Sequence, residues 1–172
     1  MNRFMIVVNP DKDTDSIVTN RIQSYLEAHG AACMVRDVFH LESSDWEALK
    51  KEQFDCVLVL GGDGTLLRMA GETEDIDIPL FGINLGTVGF LTEGEVANIE
   101  EILDRLLTDD FTIEERMMVT GTVTKADGTT YRKSALNDIV ISRAGFSRLI
   151  GLNVSVDGQV LDTYEADRLN RL

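Results

Sequence analysis

Phe4 to Val8 and Cys56 to Leu60 are apolar at every position. A strand with one wet face alternates polar and apolar residues, so an unbroken apolar run belongs to a strand covered on both faces. Helices must then lie above and below the sheet, and the intervening sequence has the patterns for them. Asn9-Pro10-Asp11 ends the first run. Asp15 or Ser16 is placed to cap a helix carrying Val18, Ile22, Tyr25, Leu26 and His29, with Gly30 as its stop. Ala31 to Val35 reads as a second strand. Ser44 is placed to cap a short helix holding Trp46, Leu49 and Lys50, and Thr65 to Ala70 reads as the start of another helix. Pro79 to Ile83 is a fourth strand. Ile99, Ile102, Leu103, Leu106 and Leu107 mark a helix with acids at its start and Arg105 near its end, as the helix dipole favours. This alternation predicts an α/β domain over residues 1–110 with an open parallel, Rossmann-like sheet.

From Phe111 the pattern changes to strands joined by turns. The candidates are Val119 to Lys125, Thr129 to Ser134, Leu136 to Ser142, Leu149 to Val156 and Gln159 to Tyr164. Asp127-Gly128 and Asp157-Gly158 are hairpin signals. Residues 111–172 are therefore expected to form an antiparallel β domain. The formal charge of −14 argues against nucleic acid and anionic membrane as partners. A small anionic ligand is still compatible, because backbone N–H groups and a metal ion can attract phosphates locally. Cys33 and Cys56 lack the spacing of a zinc site or disulfide framework and read as buried thiols. The N-terminal apolar run is too short for a signal peptide, and no segment approaches the roughly 20 apolar residues of a membrane helix. The expected location is the cytoplasm.

The second apolar run leads straight into Gly61-Gly62-Asp63-Gly64-Thr65. Ligands of open α/β sheets bind beyond the carboxyl ends of the strands, where this turn must lie. Glycines permit positive φ and let N–H groups approach a phosphate, and a following helix offers its N-terminal N–H groups. Thr65 can add a hydroxyl. Asp63 would repel a phosphate unless it binds Mg²⁺ or takes a proton from an attacking hydroxyl, a combination that points to phosphoryl transfer. The structural alternative is a tight Asp-Gly turn joining strand to helix. Neither G-x-x-x-x-G-K-[ST] nor G-x-G-x-x-G is present here.

Gly61 to Thr65 resembles the signature shared by NAD kinases, diacylglycerol and sphingosine kinases, and 6-phosphofructokinases. The run from Gly82 to Thr92, with Asn84, Gly86, Gly89, Phe90 and Leu91, resembles the G-I-N-x-G-x-x-G-F-L segment of NAD kinases. Ala135 to Ile141 is similar to the A-L-N-[ED]-[VI]-x-[IL] strand of that family, and Val8-Asn9-Pro10 also fits. The resemblance implies phosphorylation of the 2′-hydroxyl of the adenosine ribose of NAD, giving NADP, with ATP or polyphosphate as donor and Mg²⁺ on the donor phosphates. It implies Asp63 as the catalytic carboxylate and Gly62, Gly64 and Thr65 along the phosphate path. Asn84 would hold its loop or reach the ligand, and Gly86 and Gly89 would allow tight turning. Phe90 lies beside the adenine in the family, although an aromatic after a glycine loop also suits a core. Asn137 and Asp138 resemble the pair that bonds the adenine and ribose hydroxyls, with a polar strand end as the alternative. Tyr164 to Asp167 is similar to a segment whose aspartate, here Asp167, lies close to the dinucleotide.

After Asp167 the resemblance stops. The family continues into a T-P-T-G-S-T-A-Y-type segment that closes over NAD, whereas Arg168 to Leu172 differs from it. The expectation is a β domain lacking part of its sheet, and a chain whose own catalysis needs testing. Two other readings stand beside NAD kinase. One is a diacylglycerol-type lipid kinase, disfavoured by the charge and by Gly82 to Thr92. The other is a non-catalytic nucleotide-binding fragment. Relatives form dimers or tetramers, so a homo-oligomer is expected.

Overall fold

The two apolar runs lie side by side as neighbouring parallel strands in the computed structural model, which describes residues 1–51, 53–86, 89–142, 149–166 and 168–170. Two compact units divide the chain, Met1–Arg116 and Met117–Leu172.

In the first unit the order is β1 (Arg3–Val8), α1 (Ile17–Ala28), β2 (Ala32–Asp37), α2 (Ser43–Lys50), β3 (Cys56–Gly61), α3 (Asp63–Glu72), β4 (Leu80–Asn84), a two-residue β5 (Gly94–Glu95) and α4 (Ile99–Leu107). The strands form one parallel sheet in the order β2-β1-β3-β4-β5. Period-two alternation sorts its side chains. Phe4, Ile6, Leu58, Leu60 and Ile83 point to one face, against Ile22 and Leu26 of α1 and Leu103 of α4. Met5, Val7, Val57 and Val59 point to the other, against Leu49 of α2 and Leu66 and Met69 of α3. Each face thus has its own apolar layer, as the unbroken runs require.

Helix starts depart from the sequence reading. Ser16 precedes α1 in a left-handed conformation (φ 53°) and makes no side-chain cap. That turn brings Asp13 beneath the helix instead. Its carboxylate accepts from the Val18 N–H at 3.2 Å, and from the Thr19 N–H at 2.8 Å and hydroxyl at 2.7 Å. At α2 the cap is Glu42, in a reciprocal box with Asp45, and Ser44 lies inside the helix. Helix α3 begins at Asp63, two residues before Thr65, with Gly62 as its N-cap. Gly30 ends α1 at φ 84°, as its place in the sequence predicts.

In the second unit, β6 (Val119–Thr124) pairs with β7 (Thr130–Ala135), followed by β8 (Val140–Ser142), β9 (Ile150–Val156), β10 (Gln159–Ala166) and β11 (Arg168–Asn170). Both further pairs, β9 with β10 and β8 with β11, are also antiparallel. Asp157 and Gly158 both have positive φ, 50° and 79°, which two-residue hairpins of the mirror-image type require. The strand expected over Leu136 to Ser142 forms only at Val140–Ser142. Leu136 and Asn137 bend away instead, consistent with the low strand preference of Asn and Asp. Among the described residues of this unit Val154 alone is a buried hydrophobic, whereas Val160 is 80% exposed.

Candidate active site

Strand order reverses beside β1, because the chain goes out to β2 on one side and returns to β3 on the other. In open α/β sheets such a reversal leaves a crevice at the carboxyl ends of the two central strands. Asn9 follows β1 there and is held three ways. Its N–H donates to the Leu60 carbonyl at 2.9 Å, its side-chain amide donates to the Thr65 hydroxyl at 3.5 Å, and its side-chain oxygen accepts from the Asp11 N–H at 3.0 Å. The Leu85 N–H donates to the Gly61 carbonyl at 2.8 Å and so joins the ends of β3 and β4.

The glycines of the turn work differently from the expectation. None of Gly61, Gly62 and Gly64 has a positive φ, and Gly62 is extended at φ −137° and ψ −171°. Gly61 is required by packing, because a Cβ there would fall on the Thr65 side chain. Thr65 is buried, and its hydroxyl accepts from the Asn9 side-chain amide. At Gly62 and Gly64 a Cβ would meet nothing within 4 Å. Neither the backbone nor the packing calls for glycine at these two positions. What they provide is an uncovered main chain at the start of α3, the arrangement that receives phosphate oxygens.

Asp63 joins the two glycine-containing segments into one structure. Its Oδ2 accepts from the Phe90 N–H at 2.8 Å. Its Oδ1 accepts from the N–H groups of Leu91 at 3.1 Å and Thr92 at 3.2 Å, and from the Thr92 hydroxyl at 3.4 Å. A Cβ at Gly89 would fall on this carboxylate, so Gly89 is required for the turn to approach it. The Phe90 N–H, with further help from Leu91 and Thr92 against a smaller desolvation effect, holds the Asp63 carboxyl below the ordinary carboxylate range. Asp63 is thus a fixed anion. Oδ2 takes one of these donors and Oδ1 takes three, which leaves Oδ2 room for a substrate hydroxyl.

Asn84 is buried and its side-chain oxygen accepts from the Gly86 N–H at 2.9 Å, which is the loop-holding role. The core alternative for Phe90 does not hold, because its side chain is fully exposed at 101%. Thr87 and Val88 lie outside the described residues. Asp63, Gly62, Gly64, Thr65, Asn84 and Phe90 all belong to the first unit. Asn137 and Asp138 belong to the second, both exposed, ahead of β8. Asp167 lies outside the described residues. The Asn9 bridge and the Thr92 contacts were not foreseen. Their sequence signals are the resemblance of Val8-Asn9-Pro10 and of the run ending at Thr92 to family segments, neither of which specifies these contacts. Among the described residues no three His, Cys, Asp or Glu side chains converge on a metal position.

Residues 4–111 match the family model described as the ATP-NAD kinase N-terminal domain. An NAD kinase of Lachnoclostridium phytofermentans is 39% identical over 171 residues, covering 97% of this chain and 60% of the relative. An NAD kinase of Lachnospira eligens is 39% identical over 172 residues, covering 97% of this chain and 59% of the relative. The chain thus spans about 60% of the length of these curated relatives. Yeast NADH kinase, solved in complex with NADH, shares the fold at a TM-score of 0.76 and 18% identity, over 99% of this chain and 57% of the yeast chain.

Proposed function

Because this chain belongs to the ATP-NAD kinase family, we propose that it transfers a phosphoryl group to the 2′-hydroxyl of the adenosine ribose of NAD, giving NADP. The observation that carries this reading is the Asp63 carboxylate, clamped by the N–H groups of Phe90, Leu91 and Thr92, with Oδ2 taking a single donor. Its Oδ2 would accept the proton of the 2′-hydroxyl as the ribose oxygen bonds to phosphorus and the donor's terminal P–O bond breaks. A carboxylate with a lowered pKa is a weak base. In a loose phosphoryl-transfer transition state, however, catalysis is mostly positioning and charge stabilisation, so a fixed acceptor suffices. The N–H groups at the start of α3, uncovered at Gly62 and Gly64, would hold the donor phosphates. Asn84 keeps the β4 loop in place, and Thr65 supports Gly61 from inside.

ATP and polyphosphate present the same phosphate chain to this edge, and either fits the reading. Mg²⁺ would arrive on the donor as part of the substrate. Exposed Phe90 is suited to stack on the adenine. Asn137 and Asp138, and Asp167 by resemblance, would bond the adenosine moiety. A cytoplasmic location and a dimer or tetramer belong to the same proposal and rest on the family resemblance.

A coupled assay for NADP with Mg-ATP and NAD tests the proposal, and turnover dependent on both substrates is the expected result. Binding of NAD and ATP by calorimetry without NADP formation would replace it with the second reading, a nucleotide-binding fragment. Gly64→Ala probes the phosphate path separately. Alanine improves a helical position by up to about 1 kcal/mol, and a Cβ at Gly64 has open space. The variant should therefore melt no lower than the parent while its KM for the donor rises. Unchanged donor kinetics would remove Gly64 from the phosphate path.

A further inference from the structure

We propose that Lys12 is a donor-phosphate ligand, its ammonium carried across the end of β3 to meet the phosphate chain. This rests on the kinase reading and adds a side chain to a site otherwise made of main-chain N–H groups.

Lys12 lies in the turn after β1, where its N–H donates to the Asn9 carbonyl at 3.0 Å. Its Nζ lies 4.0 Å from the Cβ position at Gly86, in the turn after β4. Strand β3 lies between β1 and β4 in the sheet. Neighbouring strands are about 4.8 Å apart, so a side chain rooted after β1 that ends beside Gly86 must pass over the carboxyl end of β3. That end is the turn from Gly61 to Asp63. The route is set by backbone topology, because Asn9 is fixed to Leu60 and Thr65, and Leu85 to Gly61.

Two lysines of the first unit, Lys12 and Lys50, have no ion pair among the described residues, and Lys50 lies in the last turn of α2 whereas Lys12 follows β1. The arginines of this unit are engaged elsewhere. Arg3 pairs with Asp55, Arg21 with Glu100, Arg36 with Asp45, Arg105 with Asp110 and Arg116 with Glu114. Arg68 lies over the Phe39 ring, 5.4 Å from its centroid. Among the described residues Lys12 has no carboxylate partner. In a protein of net charge −14, where acids readily capture cations, this lysine stays free at the strand ends. A chain of condensed phosphates is the chemistry that would use it, because a flexible ammonium binds phosphate as a mobile point charge.

The test is calorimetric titration of the 172-residue chain with Mg-tripolyphosphate, Mg-ATP and NAD, repeated for Lys12→Ala and Lys12→Arg. Losing one charge-assisted contact should weaken both phosphate probes by about tenfold or more. NAD should bind as before, and Lys12→Arg should recover most of the loss. Equal weakening of tripolyphosphate and ATP would assign Lys12 to the phosphate chain common to both donors. Loss with ATP alone would overturn that assignment. If the parent binds the phosphate probes and Lys12→Ala binds them equally well, Lys12 is not a ligand while the phosphate site stands. If the parent binds neither probe, the phosphate site itself is wrong and the Lys12 proposal falls with it.

Discussion

Asp63→Asn should lower turnover by about 10²- to 10⁴-fold, the usual contribution of a positioned proton acceptor, and should loosen the turn at residues 89–92. The second effect follows from hydrogen-bond polarity. Both carboxylate oxygens accept from backbone N–H groups, Oδ2 from Phe90 and Oδ1 from Leu91 and Thr92. An asparagine must turn its NH₂ toward one of these donors, and whichever orientation it takes leaves an N–H facing an N–H. Kinetics should therefore show a fall in kcat, and amide exchange should quicken at Phe90, Leu91 and Thr92. Near-normal turnover would remove Asp63 from the chemistry. Slow turnover with unchanged exchange would keep the chemistry but refute the clamp.

The same contacts set a pH dependence. The folded carboxyl is held below the ordinary Asp value of about 3.9. Its contribution to the turn is complete above the unfolded value and is lost as pH falls through the lowered folded one. Asp63 accordingly stays ionised throughout the neutral range and cannot produce an alkaline limb in the rate. An NMR titration following the Phe90 amide should show its midpoint below the ordinary Asp value. A midpoint above that value would contradict the geometry.

How much of this was legible in the sequence depended on which groups carry the information. Phe4 to Val8 and Cys56 to Leu60 announce a doubly covered sheet because burial on both faces leaves no position for a polar side chain. Asp157-Gly158 announces its hairpin because few residue pairs tolerate two positive φ values. The donors on Asp63 were invisible because they are main-chain N–H groups, which have no letter in the sequence. Their one trace is Gly89, a glycine required by the nearness of a carboxylate 26 positions earlier in the chain. The caps of α1 and α2 were misplaced for a related reason. Which oxygen reaches a helix start depends on the turn before it, and the left-handed Ser16 hands that role to Asp13. The packing of Thr65 against Gly61 was hidden for the same reason, since a glycine required by a neighbouring side chain has the same letter as one required by its backbone. The exposed setting of Asn137 and Asp138 was hidden by their apolar flanks, which suggested a continuous strand.

Gly89→Ala should reduce turnover about as severely as changing Asp63, although Gly89 carries no reactive group. The conflict is spatial, because the added Cβ falls on the Asp63 carboxylate. Asp63 is fixed in the first turn of α3 and tied to three N–H groups, so either the carboxylate rotates away or the turn carrying Phe90 lifts off. Inserting a methyl into filled space typically costs about 1–3 kcal/mol of stability. Misplacing a reacting group by about 1 Å can cost about 10²-fold in rate. A double-mutant cycle separates this clash from a general loss of fold. In an Asp63→Ala background the carboxylate is gone and the new methyl has room, so Gly89→Ala should then cost little further stability by denaturant unfolding. The two changes would be strongly non-additive, as expected for groups in direct contact. Simple additivity would show that Gly89 and Asp63 do not meet in solution, and the clamp that joins the two segments would have to be abandoned.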